Sequence, residues 1–191
     1  MSKKALIMID LQNDFCSEGS LAVNGAEEAV LLANQLQPFF DLIIATQDWH
    51  PEEHHSFVDL WPVHCVQNTT GAALHDHLNQ VRIDKIFYKG MHEKVDSYSA
   101  FFDNEHLYAT GLGGYLQSKK VTEVYLLGLA TDYCVKYSCL DALQLGFKVY
   151  VIADACRAVE LNVGDSEQAL REMEAAGAII ISSSQIMQAS S

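Results

Sequence analysis

The stretch Val124-Tyr125-Leu126-Leu127-Gly128-Leu129-Ala130-Thr131-Asp132-Tyr133-Cys134-Val135 decides how this chain folds. Val124 to Leu127 is a short apolar run rich in the residues of a strand buried on both faces. Gly128 to Asp132 reads as a strand-to-helix transition, because Val135 or Cys139, Leu140 and Leu143 then recur at the three- and four-residue spacing of one helix face. A strand that feeds straight into a helix is the opening half of a crossover to a parallel neighbour.

The same alternation extends in both directions. Apolar runs at Ala5 to Ile9, Leu42 to Ala45, Ile86 to Tyr88, Val149 to Ile152 and Ala178 to Ile181 read as five more strands. Between them, Ala26, Ala29, Val30, Ala33, Leu36 and Phe40 mark one helix face, and Ala169, Leu170, Met173 and Ala176 another. The expected fold is α/β: a three-layer α/β/α sandwich around a doubly wound, mostly parallel six-stranded sheet. At 191 residues and 49% hydrophobic, the chain can build one well-buried core, so a single domain over 1–191 is expected. There is no internal repeat or linker-like run, and only Gln188 to Ser191 are expected to fray.

Acidic residues outnumber basic ones by 25 to 12, giving a net charge of -13, which argues against nucleic acid or an anionic membrane surface as a partner. No run reaches the roughly 18 apolar residues of a membrane span. Met1-Ser2-Lys3-Lys4 leads into the first strand without a cleavage site, so a soluble, unprocessed protein is expected. The five cysteines, Cys16, Cys65, Cys134, Cys139 and Cys156, are scattered and form no CxxC pair. That pattern fits a reducing cytoplasm better than a disulfide framework or a zinc ribbon.

In open parallel sheets ligands bind beyond the carboxyl ends of the strands, so polar residues following the apolar runs carry the chemistry. Those residues are Asp10, Asp48 with His50, Lys89, and the turn that ends in Cys134. An ammonium beside a thiol favours thiolate, and a carboxylate can accept the thiol proton and later deliver it, as amide cleavage requires. The start of a helix adds its dipole and free N–H groups, so Cys134 is expected to ionise below the roughly 8.5 of a free thiol. Taken singly, each has a plainer reading: Asp10 as a turn cap, Lys89 as a solvated strand-end charge, Cys134 as a small packing group.

The segment Asp48 to Leu74 breaks the alternation and holds both tryptophans, two of the three prolines and four of the eight histidines. Asp48, His50 and His64 form a candidate metal set, with His54, His55 and Cys65 as further candidates, whereas His75, His77, His92 and His106 fall outside it. One carboxylate and two imidazoles suit zinc, iron or manganese and leave positions open for water or substrate. Phe15, Trp61 and Tyr98 could wall a flat aromatic substrate or pack in the core.

Through Asp10-Leu11-Gln12-Asn13-Asp14-Phe15, Asp48-Trp49-His50-Pro51, Trp61-Pro62-Val63-His64-Cys65, Tyr88-Lys89-Gly90 and Gly128 to Val135, nearly the whole chain resembles the nicotinamidases of the isochorismatase-like cysteine hydrolase superfamily. The resemblance implies that Cys134 attacks the carboxamide carbon of nicotinamide, that Asp10 shuttles the proton and that Lys89 stabilises the ionised pair. It implies an oxyanion hole from the N–H groups of Ala130 and Cys134 and a cis peptide between Leu129 and Ala130. It further implies one divalent ion, zinc foremost with iron or manganese as alternatives, on Asp48, His50 and His64, holding the pyridine nitrogen in a pocket with Phe15, Trp61 and Tyr98. Nicotinate, ammonia and a place in NAD salvage follow, with pyrazinamide as a second substrate. A related hydrolase of another small amide or carbamoyl compound, and a catalytically silent scaffold, are the competing readings. A homo-oligomer is left open.

Overall fold

The computed structural model describes residues 3 to 189. Six strands run β1 (Lys3–Ile9), β2 (Leu42–Asp48), β3 (Lys85–Lys89), β4 (Val121–Leu129), β5 (Lys148–Arg157) and β6 (Ile179–Ile181), and all five pairings are parallel, in the order β3-β2-β1-β4-β5-β6. The six helices are α1 (Ala26–Leu36), α2 (Ser56–Asp59), α3 (Leu112–Ser118), α4 (Lys136–Gln144), α5 (Asp165–Ala175) and α6 (Ser183–Ala189). Each expected apolar run lies inside or against one strand, and the doubly wound sheet is realised as parallel throughout.

The sheet has two apolar faces because strand side chains alternate. Ala5, Ile7 and Ile9 of β1 join the layer built with α3, α4 and α5, whereas Leu6 and Met8 join the opposite layer under α1. Along α1 three of the five buried positions, Ala26, Ala29 and Ala33, are alanine and fully buried, so the helix axis can approach the sheet closely. Glu27 and Glu28 in its first turn complement the helix dipole. The expected helix face ran on to Phe40, but α1 ends at Leu36 and tightens into a 3-10 turn over Gln37–Phe39 that contains Pro38. A proline inside an α-helix lacks the N–H and crowds the carbonyl four residues back. Phe40 then turns extended and packs edge-on against Tyr125, ring centroids 4.9 Å apart.

Three helices, α2, α3 and α6, carry no clear apolar period; α3 contains Gly113 and Gly114, which weaken any helix signal. Gln188 and Ala189, expected to fray, close α6, and Ser190 and Ser191 lie outside the described residues. No described helix is long and apolar enough to cross a membrane.

Connections run from β1 outward to β3 on one side and from β4 to β6 on the other, so the order reverses between β1 and β4. Such a reversal opens a crevice at the carboxyl ends of the two central strands. Gly128 makes this junction unusually close: with φ at +125°, a Cβ there would stand 2.1 Å from the Ile9 carbonyl oxygen. The end of β4 is thereby laid against the end of β1, which brings the residues after each strand together.

Candidate active site

Asp10 follows β1 directly and takes a left-handed backbone, φ +51°. Thr46 of β2 closes on it from both sides: its hydroxyl accepts the Asp10 N–H at 3.2 Å and donates to Asp10 Oδ1 at 2.7 Å. Asp48 and Lys89 are the last residues of β2 and β3 and stand in register, so their side chains leave the same face of the sheet. Cys134 lies in a wide π-type turn, Thr131–Val135, that runs into α4.

Lys89 is the hub. Its ammonium, only 2% exposed, lies 2.8 Å from Asp10 Oδ2, 2.5 Å from Asp48 Oδ1, 2.9 Å from the Ser97 carbonyl and 3.4 Å from Cys134 Sγ. Burial opposes the charged form, but Asp10, Asp48 and Cys134 together hold Lys89 well above the ordinary lysine range. Burial also pushes Asp48 up, yet Lys89, His50 and His64 outweigh it and keep this carboxylate ionised far below the usual range. Asp10 goes the other way: burial, against the pull of Lys89 and with the push of Asp48, raises it to about 6. Its Oδ2 meets the Lys89 ammonium at 2.8 Å. A carboxylate raised this far lies near the usual working pH of a general base.

The thiol departs from expectation. Burial first, then Asp10 and Asp48, push Cys134 well above a free thiol, and Lys89 opposes them without prevailing. The expected low pKa counted the ammonium and the helix start but not the second carboxylate: with Asp10 and Asp48 both against Lys89, a thiolate would add a third negative charge to one cation. Burial and the two carboxylates thus favour the neutral thiol beside Asp10.

Around the turn, the Ala130 carbonyl accepts from the N–H groups of Tyr133 at 3.1 Å and Val135 at 3.0 Å, bypassing that of Cys134 between them. The Leu129–Ala130 peptide is cis.

Asp48 faces two ways. While Oδ1 meets Lys89, Oδ2 lies 3.5 Å from His50 Nε2 and 3.8 Å from His64 Nε2. Both imidazoles are oriented from behind, His50 Nδ1 donating to the Gly90 carbonyl at 2.8 Å and His64 Nδ1 to that of Pro62 at 2.7 Å. That fixes the tautomer in which each Nε2 offers a lone pair toward the carboxylate. His50 Nε2 is buried without a hydrogen-bond partner, and donor atoms of Asp48, His50 and His64 all lie within 4.8 Å of one another. A buried imidazole nitrogen left unpaired beside a carboxylate and a second imidazole fits a divalent ion, so the set can hold a metal. Burial lowers His64, favouring the neutral, ligating form, whereas Asp48 raises His50 against burial.

The other candidates separate. His54 stacks on His50 with centroids 4.1 Å apart, and its donor atom groups with His50 and Asp96 rather than with Asp48 and His64. Its Nδ1 accepts the Ser56 N–H at 3.3 Å. His55 is exposed. Cys65 is buried with its N–H on Asp14 Oδ2 at 2.7 Å, and it belongs to no donor group with these histidines. His77, His92 and His106 are exposed, and His75 is half-buried beside Cys16 and Glu27, away from this set.

Phe15, Trp61 and Tyr98 do line one pocket with Asp48, His64, Ala130 and Cys134. Trp61 Nε1 donates to the Tyr98 hydroxyl at 3.3 Å, and both rings meet Tyr133 edge-on at 5.2 and 5.4 Å. Tyr133, Asp96, Leu21, Val23 and Val159 line it too, with Leu129 from the end of β4. None of these five was singled out as pocket-lining, although Tyr133 stands beside Cys134 in the turn already quoted and Asp96 two residues before Tyr98. Two supports inside the first motif were also missed. Gln12 clamps the Asp48 backbone, accepting its N–H and donating to its carbonyl, each at 2.8 Å, while Asp14 holds the Cys65 N–H next to His64.

Comparison with known proteins gives this geometry relatives. The isochorismatase domain family matches residues 4–185. The nicotinamidase of Escherichia coli strain K12 is 46% identical, over 94% of this chain and 95% of its own. Among solved structures, a nicotinamidase and pyrazinamidase of Acinetobacter baumanii superposes with a TM-score of 0.93 at 40% identity, covering 97% of this chain and 99% of that one. A pyrazinamidase of Pyrococcus horikoshii in complex with zinc superposes at 0.83 with 37% identity, covering 94% and 99%.

Proposed function

The chain belongs to the isochorismatase family, and from that premise we propose that it is a nicotinamidase, hydrolysing nicotinamide to nicotinate and ammonia through Cys134. The observation that carries the reading is the double use of Asp48. One oxygen pairs with the lysine that touches Asp10 and Cys134, and the other faces two imidazoles on the same pocket. A reacting group and a ring-nitrogen anchor are thus held a few ångströms apart, as a carboxamide on a pyridine ring requires.

Asp10 Oδ2 takes the Cys134 proton as sulfur bonds to the carboxamide carbon. The N–H groups of Ala130 and Cys134 serve the oxyanion, the role that preorganised donors fill in acyl transfer. Protonated Asp10 then gives its proton to the nitrogen as the C–N bond breaks, releasing ammonia and leaving a nicotinoyl thioester. Asp10, ionised again, removes a proton from water as the water oxygen attacks the thioester carbon. It returns that proton to sulfur, freeing nicotinate. Lys89 stays charged throughout and keeps Asp10 from being lost as a base.

Asp48, His50 and His64 would hold one divalent ion, zinc foremost with iron or manganese as alternatives, which would supply Lewis acidity toward the pyridine nitrogen. Phe15, Trp61, Tyr98 and Tyr133 wall the flat ring at little entropic cost. Pyrazinamide, with a ring nitrogen in the same relation to its carboxamide, is a second substrate. The reaction would serve cytoplasmic NAD salvage through nicotinate. Purified zinc-loaded protein should release ammonia and nicotinate from nicotinamide in equal amounts, and lose that activity on chelation. Turnover of another small amide with none of nicotinamide would move the assignment elsewhere in the family.

A further inference from the structure

Asp132 belongs to the turn that carries Cys134, yet nothing in the chemistry above uses it. The residue is buried, and its carboxylate meets the loop after β5. Oδ1 accepts the Val159 N–H at 3.0 Å and Oδ2 the Glu160 N–H at 2.9 Å. The loop begins beside the nucleophile turn, since Gly128 and Leu129 of β4 pair with Cys156 and Arg157 of β5. Glu160 holds a left-handed backbone, φ +56°, and its Oε1 accepts the Gly164 N–H at 3.1 Å, which stiffens the loop from its far side. Val159, the residue so held, is half-buried and lines the pocket with Cys134.

We infer that Asp132 is a positioning residue that ties the loop after β5 to the nucleophile turn, and that Val159 forms the wall that selects among ring-substituted substrates. The inference rests on the nicotinamidase reading. With the carboxamide at Cys134 and the ring nitrogen toward Asp48 and His64, carbons 4 to 6 form the free edge of the ring. Aromatic side chains occupy much of the pocket, and its larger aliphatic side chains are Leu21, Val23, Leu129 and Val159. Leu129 belongs to the end of β4 itself; of the other three, only Val159 is bound through its own N–H to a side chain of the nucleophile turn, so the Asp132 carboxylate ties this part of the wall to the turn that carries the sulfur. A methyl group on the free edge of the ring therefore competes with the Val159 side chain for a set gap.

The test compares kcat/KM for nicotinamide with kcat/KM for nicotinamide carrying a methyl group at ring carbon 5. One methyl in an apolar pocket discriminates by roughly tenfold or more. V159A should raise the ratio of methylated to plain substrate by about tenfold, and V159L should lower it. D132N keeps one acceptor oxygen and sets an amide nitrogen against the other N–H. It should raise KM for nicotinamide more than it lowers kcat, and should shift the ratio in the direction of V159A. Combining V159A with D132N should add little to the ratio of V159A alone, because both act through one wall. Unchanged ratios in V159A and V159L, with ammonia still released from nicotinamide, would overturn the inference. A D132N variant that loses kcat alone and keeps the wild-type ratio would remove Asp132 from it. Absence of ammonia release by the wild type would refute the activity reading, and the wall assignment with it.

Discussion

Gly90→Ala is a substitution of one methyl group that should act on the metal set while leaving every proposed ligand in place. Gly90 sits at φ +63°, and a Cβ there would stand 2.4 Å from His50 Cε1 and 2.6 Å from His50 Nδ1. Carbon atoms pack at about 3.5 Å or more, so the ring would have to retreat by about 1 Å. It has little room, being stacked on His54 at 4.1 Å and edge-on to Phe57 at 5.6 Å. Retreat breaks the bond from Nδ1 to the Gly90 carbonyl, which sets both the tautomer and the aim of Nε2. The left-handed backbone costs about 1–2 kcal/mol for any other residue and the lost hydrogen bond about 1 more, so stability should fall by about 2–3 kcal/mol. Disturbing the group that orients a metal-bound histidine costs about 10- to 100-fold in affinity. Urea unfolding of the chelated protein reads the first quantity, and competition with a chromophoric chelator reads the second. Stability lost as calculated with zinc affinity within twofold of wild type would refute the argument that Gly90 aims His50 at an ion.

Cys134→Ala should abolish turnover while retaining bound zinc, whereas His50→Ala should weaken zinc and nicotinamide binding together; equal metal loss in both would contradict the separation of roles. Because Asp10 must be ionised to take the thiol proton and burial raises it to about 6, kcat/KM should fall as pH drops through about 6 and recover above it. An acid limb near pH 4 would mean that burial does not govern this carboxylate. In the chelated protein Cys134 should alkylate more slowly than a free thiol up to pH 9, since burial and two carboxylates outweigh Lys89. Half-maximal alkylation below about 8.5, the value of a free thiol, would restore a thiolate at rest.

Strand ends were legible in the sequence because a strand buried on both faces must be apolar, and its first polar successor marks the rim. Asp10 and Cys134 were located that way. The same rule cut strands short wherever a polar residue lies inside one. β2 runs on through Thr46 and Gln47 to Asp48, so the hydroxyl that fixes Asp10 looked like the end of a run. β5 likewise continues past Ala153 and Asp154 to Arg157, carrying the chain toward Val159. Val159 reaches the pocket from a segment without any period, where nothing local records what it will face.

The misjudged thiol has a definite origin. Asp48 was assigned to the metal set because it stands two residues from His50, and Lys89 to the sulfur because both end strands. Only the β2–β3 register, which pairs Asp48 with Lys89, shows that the two sets share a carboxylate.

Acid-quenching the zinc-loaded enzyme during turnover of nicotinamide and mapping the digested protein by mass spectrometry tests the central claim most directly. A nicotinoyl group should be found on the peptide containing Cys134, appearing with the first equivalent of ammonia and absent from Cys134→Ala. Steady ammonia release with no adduct on that peptide, or undiminished release by the alanine variant, would show that sulfur is not the nucleophile.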